Sequence, residues 1–235
     1  LEGLDLNPDL SLPTPNEFIP DNFEVEKKEN LEVLKHPILL RNQKQVKVWY
    51  KKDDTFWTPK ATVSLYFKTP ITYSSPSNFV TSSLYFNIID DHLTLFAYHA
   101  NLAGLSYDVS IARDGFKIHV QGYNNKVGLL LERILLELKD FKVDRVKFDT
   151  CKERAVKDLK NQWLSVSYYQ FHTHLAYLMN ENTWTLEERL QALENVTFEE
   201  IVEFGPQILK KLDLEVVAIG NLHKNDALEF ANQSM

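Results

Sequence analysis

The chain has 235 residues, 44% of them hydrophobic, with only 7 Gly and 9 Pro, which excludes a disordered or collagen-like polymer and makes one domain with a sizeable core the default. Its net charge of -7 comes from 33 acidic and 26 basic residues that are interspersed rather than blocked; this speaks against a nucleic-acid partner, and no stretch approaches the roughly 18 apolar residues of a membrane span. The single cysteine, Cys151, excludes an internal disulfide and fits a reducing compartment, so a cytoplasmic location is expected.

In chain order, the opening Leu1-Glu2-Gly3-Leu4 has no basic start, apolar run or Met, and reads as a cut inside a longer polypeptide. Pro8, Pro13, Pro15 and Pro20 sit among Asn and Asp, each removing a backbone donor and pushing its predecessor toward extended conformations, so residues 1–30, closed by Lys27-Lys28-Glu29-Asn30, are expected to be a linker. Val46 to Lys52 and Lys60 to Thr69 alternate apolar and polar residues rich in β-formers and are expected to pair as a hairpin. The connector from Asp53 to Pro59 has turn chemistry, and its Phe56 and Trp57 are expected to fold back onto the sheet edge.

Apolar residues at helical spacing from Pro76 to Leu102 (Val80, Leu84, Ile88, Leu95, Tyr98) predict a long helix stopped by Ala103-Gly104. Leu105 to Ala112 and Phe116 to Tyr123 alternate around Arg113-Asp114-Gly115, a strong hairpin signal because the turn needs positive φ. Three helices follow at Val127–Phe141, Asp144–Val166 and Tyr169–Met179. Two capping boxes, Thr185 with Glu188 and Thr197 with Glu200, each begin a short helix. Leu214 to Ile219 is an apolar strand before Gly220-Asn221, and Asn225 or Asp226 caps a last helix. The order implies an α+β domain: a mostly antiparallel sheet of about five or six strands covered by helices.

The residues offer little chemistry. Seven histidines invite a search for zinc ligands, but H-x-x-E-H and H-E-x-x-H are both missing from the sequence. His92 and His99 stand about 10 Å apart along a helix, and His172 and His174 point about 200° apart around theirs. Asp90-Asp91-His92 resembles an acid–base cluster, but neighbours on a helix diverge by about 100°, which favours a solvated face. Cys151 lies on a helix and reads as a small apolar residue rather than a nucleophile. No phosphate-cradling glycine loop or G-x-S-x-G elbow is found. Trp163, Tyr168, Tyr169 and Phe171 form an aromatic cluster that would dock a peptide or a neighbouring domain if exposed, although such a stripe is more often core. No catalytic, cofactor-binding or metal-binding residue is therefore assigned.

Longer strings are more specific. Leu12-Pro13-Thr14-Pro15-Asn16-Glu17-Phe18-Ile19-Pro20-Asp21-Asn22-Phe23, Val48-Trp49-Tyr50-Lys51-Lys52-Asp53-Asp54 and Leu102-Ala103-Gly104-Leu105-Ser106-Tyr107-Asp108 resemble, in order and spacing, the insulin-degrading-enzyme (insulysin, pitrilysin-type) family of zinc metalloendopeptidases, to which fungal pheromone-processing enzymes and nardilysin are kin. Gly122 to Lys126, Thr183-Trp184-Thr185 and Leu214 to Asn221 extend the resemblance over nearly the whole chain. The resemblance implies a parent of four related αβ-roll domains in two linked halves that close over a peptide chamber. Residues 31–235 would be its third, middle domain, and residues 1–30 the end of the linker between halves.

The resemblance places the zinc ligands in the first domain and assisting Arg and Tyr residues in the fourth, and none of those motifs has a counterpart here. It implies a non-catalytic domain, inactive alone, that builds chamber wall and an inter-domain or dimer scaffold for peptide hydrolysis by the parent. The implied partners are other domains of the same polypeptide, the parent's peptide substrates and a possible homodimer. The alternative is an autonomous peptide-binding or dimerisation module that uses exposed aromatics and a sheet edge.

Overall fold

The computed structural model describes residues 15–25, 34–112, 114–181 and 183–235. Its sheet has six strands, β1 (Ile38–Gln43), β2 (Val46–Lys52), β3 (Lys60–Lys68), β4 (Ser106–Ala112), β5 (Gly115–Tyr123) and β6 (Asp213–Gly220). A 3-10 turn at Pro70–Tyr73 leads into α1 (Pro76–Leu102). After β5 come α2 (Asn124–Asp140), α3 (Arg145–Gln162), α4 (Ser167–Met179), α5 (Leu186–Asn195) and α6 (Phe198–Ile208), and α7 (Lys224–Gln233) follows β6.

The sheet order is β1-β2-β6-β3-β5-β4. The β4–β5 hairpin forms, with Ile111 opposite Phe116, but Gly115 does not sit at the expected positive-φ turn position: it is already in the strand, paired with Ala112. The expected hairpin of β2 and β3 does not form, because β6 lies between them, parallel to β2 with Val48 opposite Val216 and antiparallel to β3 with Leu65 opposite Val216. Alternation identifies a strand but not its partner, and the partner here comes from the far end of the chain. The true hairpin partner of β2 is β1, joined through Lys44-Gln45; that strand escapes sequence reading because the Arg41–Gln45 stretch is polar and carries no Gly or Pro turn signal. All other pairings are antiparallel, as expected for this class.

Alternation also decides which face is core. Val48 and Tyr50 on β2, Val63 and Leu65 on β3, Ile118 and Val120 on β5, and Val216 and Ala218 on β6 are buried, and α1, α2 and α7 pack on the sheet. Farther out, α3, α5 and α6 pack on α1, so α1 is enclosed between the sheet and an outer layer of helices. Its ends follow local chemistry. Ser75 Oγ accepts the Asn78 amide with Pro76 in the first turn. At the other end Gly104, at φ +79°, lets its own amide reach Asn101 O and the Leu105 amide reach Ala100 O, which closes the last turn. Both predicted capping boxes form. For α7 the cap position falls to His223 instead, with Asp226 accepting the His223 amide at 2.8 Å.

Phe56 does not fold back on the sheet edge but is 80% exposed, because Asp53 accepts the Thr55, Phe56 and Thr58 amides and closes the loop upon itself. Of the expected linker, residues 1–14 and 26–30 lie outside the described residues. Residues 15–25 run along the domain. Phe18 is buried edge-on against Phe96, Asn16 donates to His99 O, Glu17 pairs with Arg133 at 3.0 Å, and Asn221 Nδ2 donates to Glu24 O.

Candidate functional site

The three consecutive residues of the acid–base candidate leave α1 toward three different elements. Asp90 accepts the Tyr107 hydroxyl of β4 at 3.1 Å, Asp91 faces Lys147 and Arg154 of α3 at 3.4 and 3.8 Å, and His92 Nε2 meets Glu137 of α2 at 2.9 Å. Helical geometry disperses them, as the 100° step requires, and they tie α1 to its neighbours instead of converging on a reacting atom. Cys151, on α3 near Asp91, is buried, and burial together with the Asp91 charge pushes its thiol pKa up. That is the opposite of what an activated nucleophile needs.

Strand register builds a row that sequence reading missed. Ser64 of β3 lies opposite His119 of β5, which lies opposite Asp108 of β4. Ser64 Oγ and His119 Nδ1 are 2.8 Å apart, so nucleophile, base and acid types stand in line. Their bonding does not make a triad. Asp108 is bound by Ser110 at 2.8 Å and by Lys117 at 3.2 Å; burial alone would raise its carboxyl, but these two partners outweigh burial and hold it below the usual range. Ser64 also sits mid-strand between β5 and β6, where its backbone is committed to the ladders and offers no oxyanion donor. Only knowledge of register could have found this row, since its members are far apart in sequence. Nearby, Glu215 of β6 accepts Trp49 Nε1 at 2.7 Å and Lys68 Nζ at 2.8 Å. Trp49, Tyr66, His119 and Val217, which alternate away from the helices, are half-buried.

Zinc needs three or four convergent N, S or O ligands at about 2.0–2.3 Å. Among the described residues no group of three or more His, Cys, Asp or Glu side chains could hold a metal ion. His92 and His119 are engaged with Glu137 and Ser64, while His172 and His174, two positions apart on α4, lie against the Tyr168 and Tyr177 rings respectively. The described residues do not fit zinc. Nor, among the described residues, is any helix long and apolar enough to cross a membrane.

Fold and side chains together define an α+β roll in which Asp90, Asp91, His92 and His119 are engaged with its own elements. The chain belongs to the M16 peptidase family, matching over residues 2–192 the family described as the middle or third domain of peptidase M16. It is 36% identical over 224 residues to the A-factor-processing enzyme of Saccharomyces cerevisiae, covering 95% of this chain and 22% of that protein. Against human insulin-degrading enzyme the identity is 37% over 227 residues, 97% of this chain and 22% of the relative. Among solved structures, pitrilysin superposes with a TM-score of 0.88 at 23% identity over 96% of this chain and 24% of that one, which establishes the shared fold. The chain thus spans about a fifth of these relatives, at a position that the family description makes internal.

Proposed function

We propose that this chain is the non-catalytic third domain of a cytoplasmic, insulin-degrading-enzyme-type zinc metalloendopeptidase. Residues 31–235 form the roll, residues 1–30 end the linker between the two halves, and zinc is bound by another domain. The roll contributes chamber wall and a scaffold for the neighbouring domains or for a dimer. Its effect on peptide hydrolysis is then indirect: closing a chamber excludes water, confines the peptide and commits it to the distant metal. The observation that carries this reading is the match to the family's middle domain over residues 2–192, beside described residues that do not fit zinc. The half-buried Trp49, Tyr66, His119 and Val217 give the outward sheet face the mixed aromatic and polar character against which an extended peptide packs.

The test is cleavage of a fluorogenic peptide in the presence of zinc, by the 235-residue chain and by the full-length gene product. The reading expects background from the former and chelator-sensitive turnover from the latter. Sustained, chelator-sensitive cleavage by the 235-residue chain alone overturns it, as does an inactive, zinc-free full-length product.

A further inference from the structure

From Trp163 to Met179 the chain has no Asp, Glu, Lys or Arg, and α4, which makes up most of this stretch, buries none of its residues. Tyr168, Phe171, Leu175, Leu178 and Met179 are all exposed, Leu178 to 84%. Single exposed apolar residues are ordinary on a protein surface, but five of them on one helix that carries no Asp, Glu, Lys or Arg mark a contact surface.

Below α4, a groove of about 540 Å³ separates it from the start of α1 and from α5, walled by Tyr73, Phe79, Tyr169, Tyr177 and Trp184. Arg189 of α5 enters the same groove with its guanidinium 5.2 Å from the centre of the Phe79 ring. Burial holds its pKa below the usual value, against the opposing pull of the Tyr177 and Tyr73 phenols. Glu181 on the groove rim is exposed and makes no ion pair with it. Arg189 Nε, Trp184 Nε1 and Tyr177 Oη are buried without a hydrogen-bond partner; Tyr177 Oη lies near the Leu186 amide, but no bond of ordinary geometry joins them. Among the described residues these three potential donors find no acceptor, although Gln162, Asn180 and Glu181 also line the groove, a condition that native proteins rarely tolerate.

An occupant must therefore offer two things: an uncharged apolar face for the outside of α4, and an anionic acceptor for the groove. A second copy of this chain placed α4 against α4 meets the first demand only, since that helix carries no acid. The relatives are far longer than this chain, which spans 22% of each, so a covalently linked occupant is available. We propose that α4 and its groove seat a neighbouring domain of the same polypeptide, which lays an apolar helix on Tyr168, Phe171 and Leu178 and brings a carboxylate to Arg189. This rests on the reading of the chain as one domain of a longer peptidase and names the surface through which that domain is held.

Hydrogen–deuterium exchange of residues 163–179 tests it, comparing the full-length gene product with the 235-residue chain. The amides of α4 are expected to exchange at least tenfold more slowly in the full-length product. Leu178→Asp and Arg189→Met in that product are each expected to remove the protection, while Arg189→Lys keeps part of it. Leu178→Asp alters only an exposed position of the roll, so loss of protection in that variant is not a folding defect. Equal exchange in the two forms overturns the proposal. So does protection in the 235-residue chain that rises with its concentration alongside a dimer in sedimentation, because a second copy would then be the occupant. Peptidase assays on the same samples separate the two readings: protection without zinc-dependent cleavage sustains the docking surface and ends the peptidase assignment, whereas cleavage without protection overturns the docking surface alone.

Discussion

Helices α1 and α4 both carry aromatic and aliphatic residues at helical spacing, yet α1 buries Leu84, Ile88, Ile89 and Leu93 while α4 buries nothing. Apolar character does not separate them. What differs is the supply of opposing surface: α1 has the sheet on one side and α3, α5 and α6 on the other, whereas α4 faces a groove lined by aromatic rings and a cation with no acid partner. Within one chain, then, the same residue chemistry builds a finished core and an unfinished surface.

The largest expected effect breaks the finished side. Ile88, with no exposure, sits midway along α1, and Ile88→Ala should destabilise the fold by about 2–5 kcal/mol through lost transfer energy and a residual cavity. Urea unfolding followed by far-UV circular dichroism measures it, and a loss below about 1 kcal/mol would show that α1 is less tightly enclosed than its burial indicates.

Next in size is the point where β6 meets the sheet. Gly220 has φ +121°, and a Cβ there would lie 2.4 Å from Lys60 O, on the strand beside it. Both the left-handed backbone and the close approach oppose any side chain, so Gly220→Ala should cost about 1–3 kcal/mol. The same titration should show it, and a neutral result would place the β3–β6 approach farther apart than 2.4 Å allows.

These two sites also mark what the sequence discloses. Ile88 was legible as core because periodicity is a local signal, and the same holds for the β4–β5 hairpin and the two capping boxes. The insertion of β6 between β2 and β3 was not, since pairing between residues as distant as Val48 and Val216 leaves no trace in either segment. The Ser64–His119–Asp108 row was hidden for the same reason. Cys151 and the Asp90-Asp91-His92 cluster were readable as structural, because a helix disperses consecutive side chains whatever lies around it. The aromatic cluster of Trp163, Tyr168, Tyr169 and Phe171 gave the helix but not its exposure, which depends on surfaces the local sequence does not contain.

A smaller effect concerns the outward sheet face. The Lys68 bond, helped by Trp49, holds the Glu215 carboxyl below its ordinary value of 4.5. A depressed carboxylate pKa contributes stability that is fully present above the unfolded value and is lost as pH falls through the folded one. Glu215→Gln should therefore be less stable than the parent sequence by about 0.2–1 kcal/mol at neutral pH, the range for a partly exposed pair. The difference should shrink toward zero as pH drops below about 4, the carboxylate range. Thermal unfolding at matched pH values checks this, and a deficit that grows on acidification would have the wrong sign for a carboxylate held ionised by Lys68.

The smallest expected effect sharpens the comparison of the two helices. In the 235-residue chain Leu178→Ala removes a side chain that is already 84% exposed, and Ala is at least as good a helix former as Leu. Stability should change by no more than about 0.5 kcal/mol, in contrast to Ile88→Ala. Thermal melts of the pair under one buffer give the ratio directly. A loss at Leu178 comparable to that at Ile88 would mean that α4 is packed in the isolated chain, either on the roll or on a second copy. A loss that emerges only in the full-length product would place the opposing surface in the rest of the polypeptide, as the docking proposal expects.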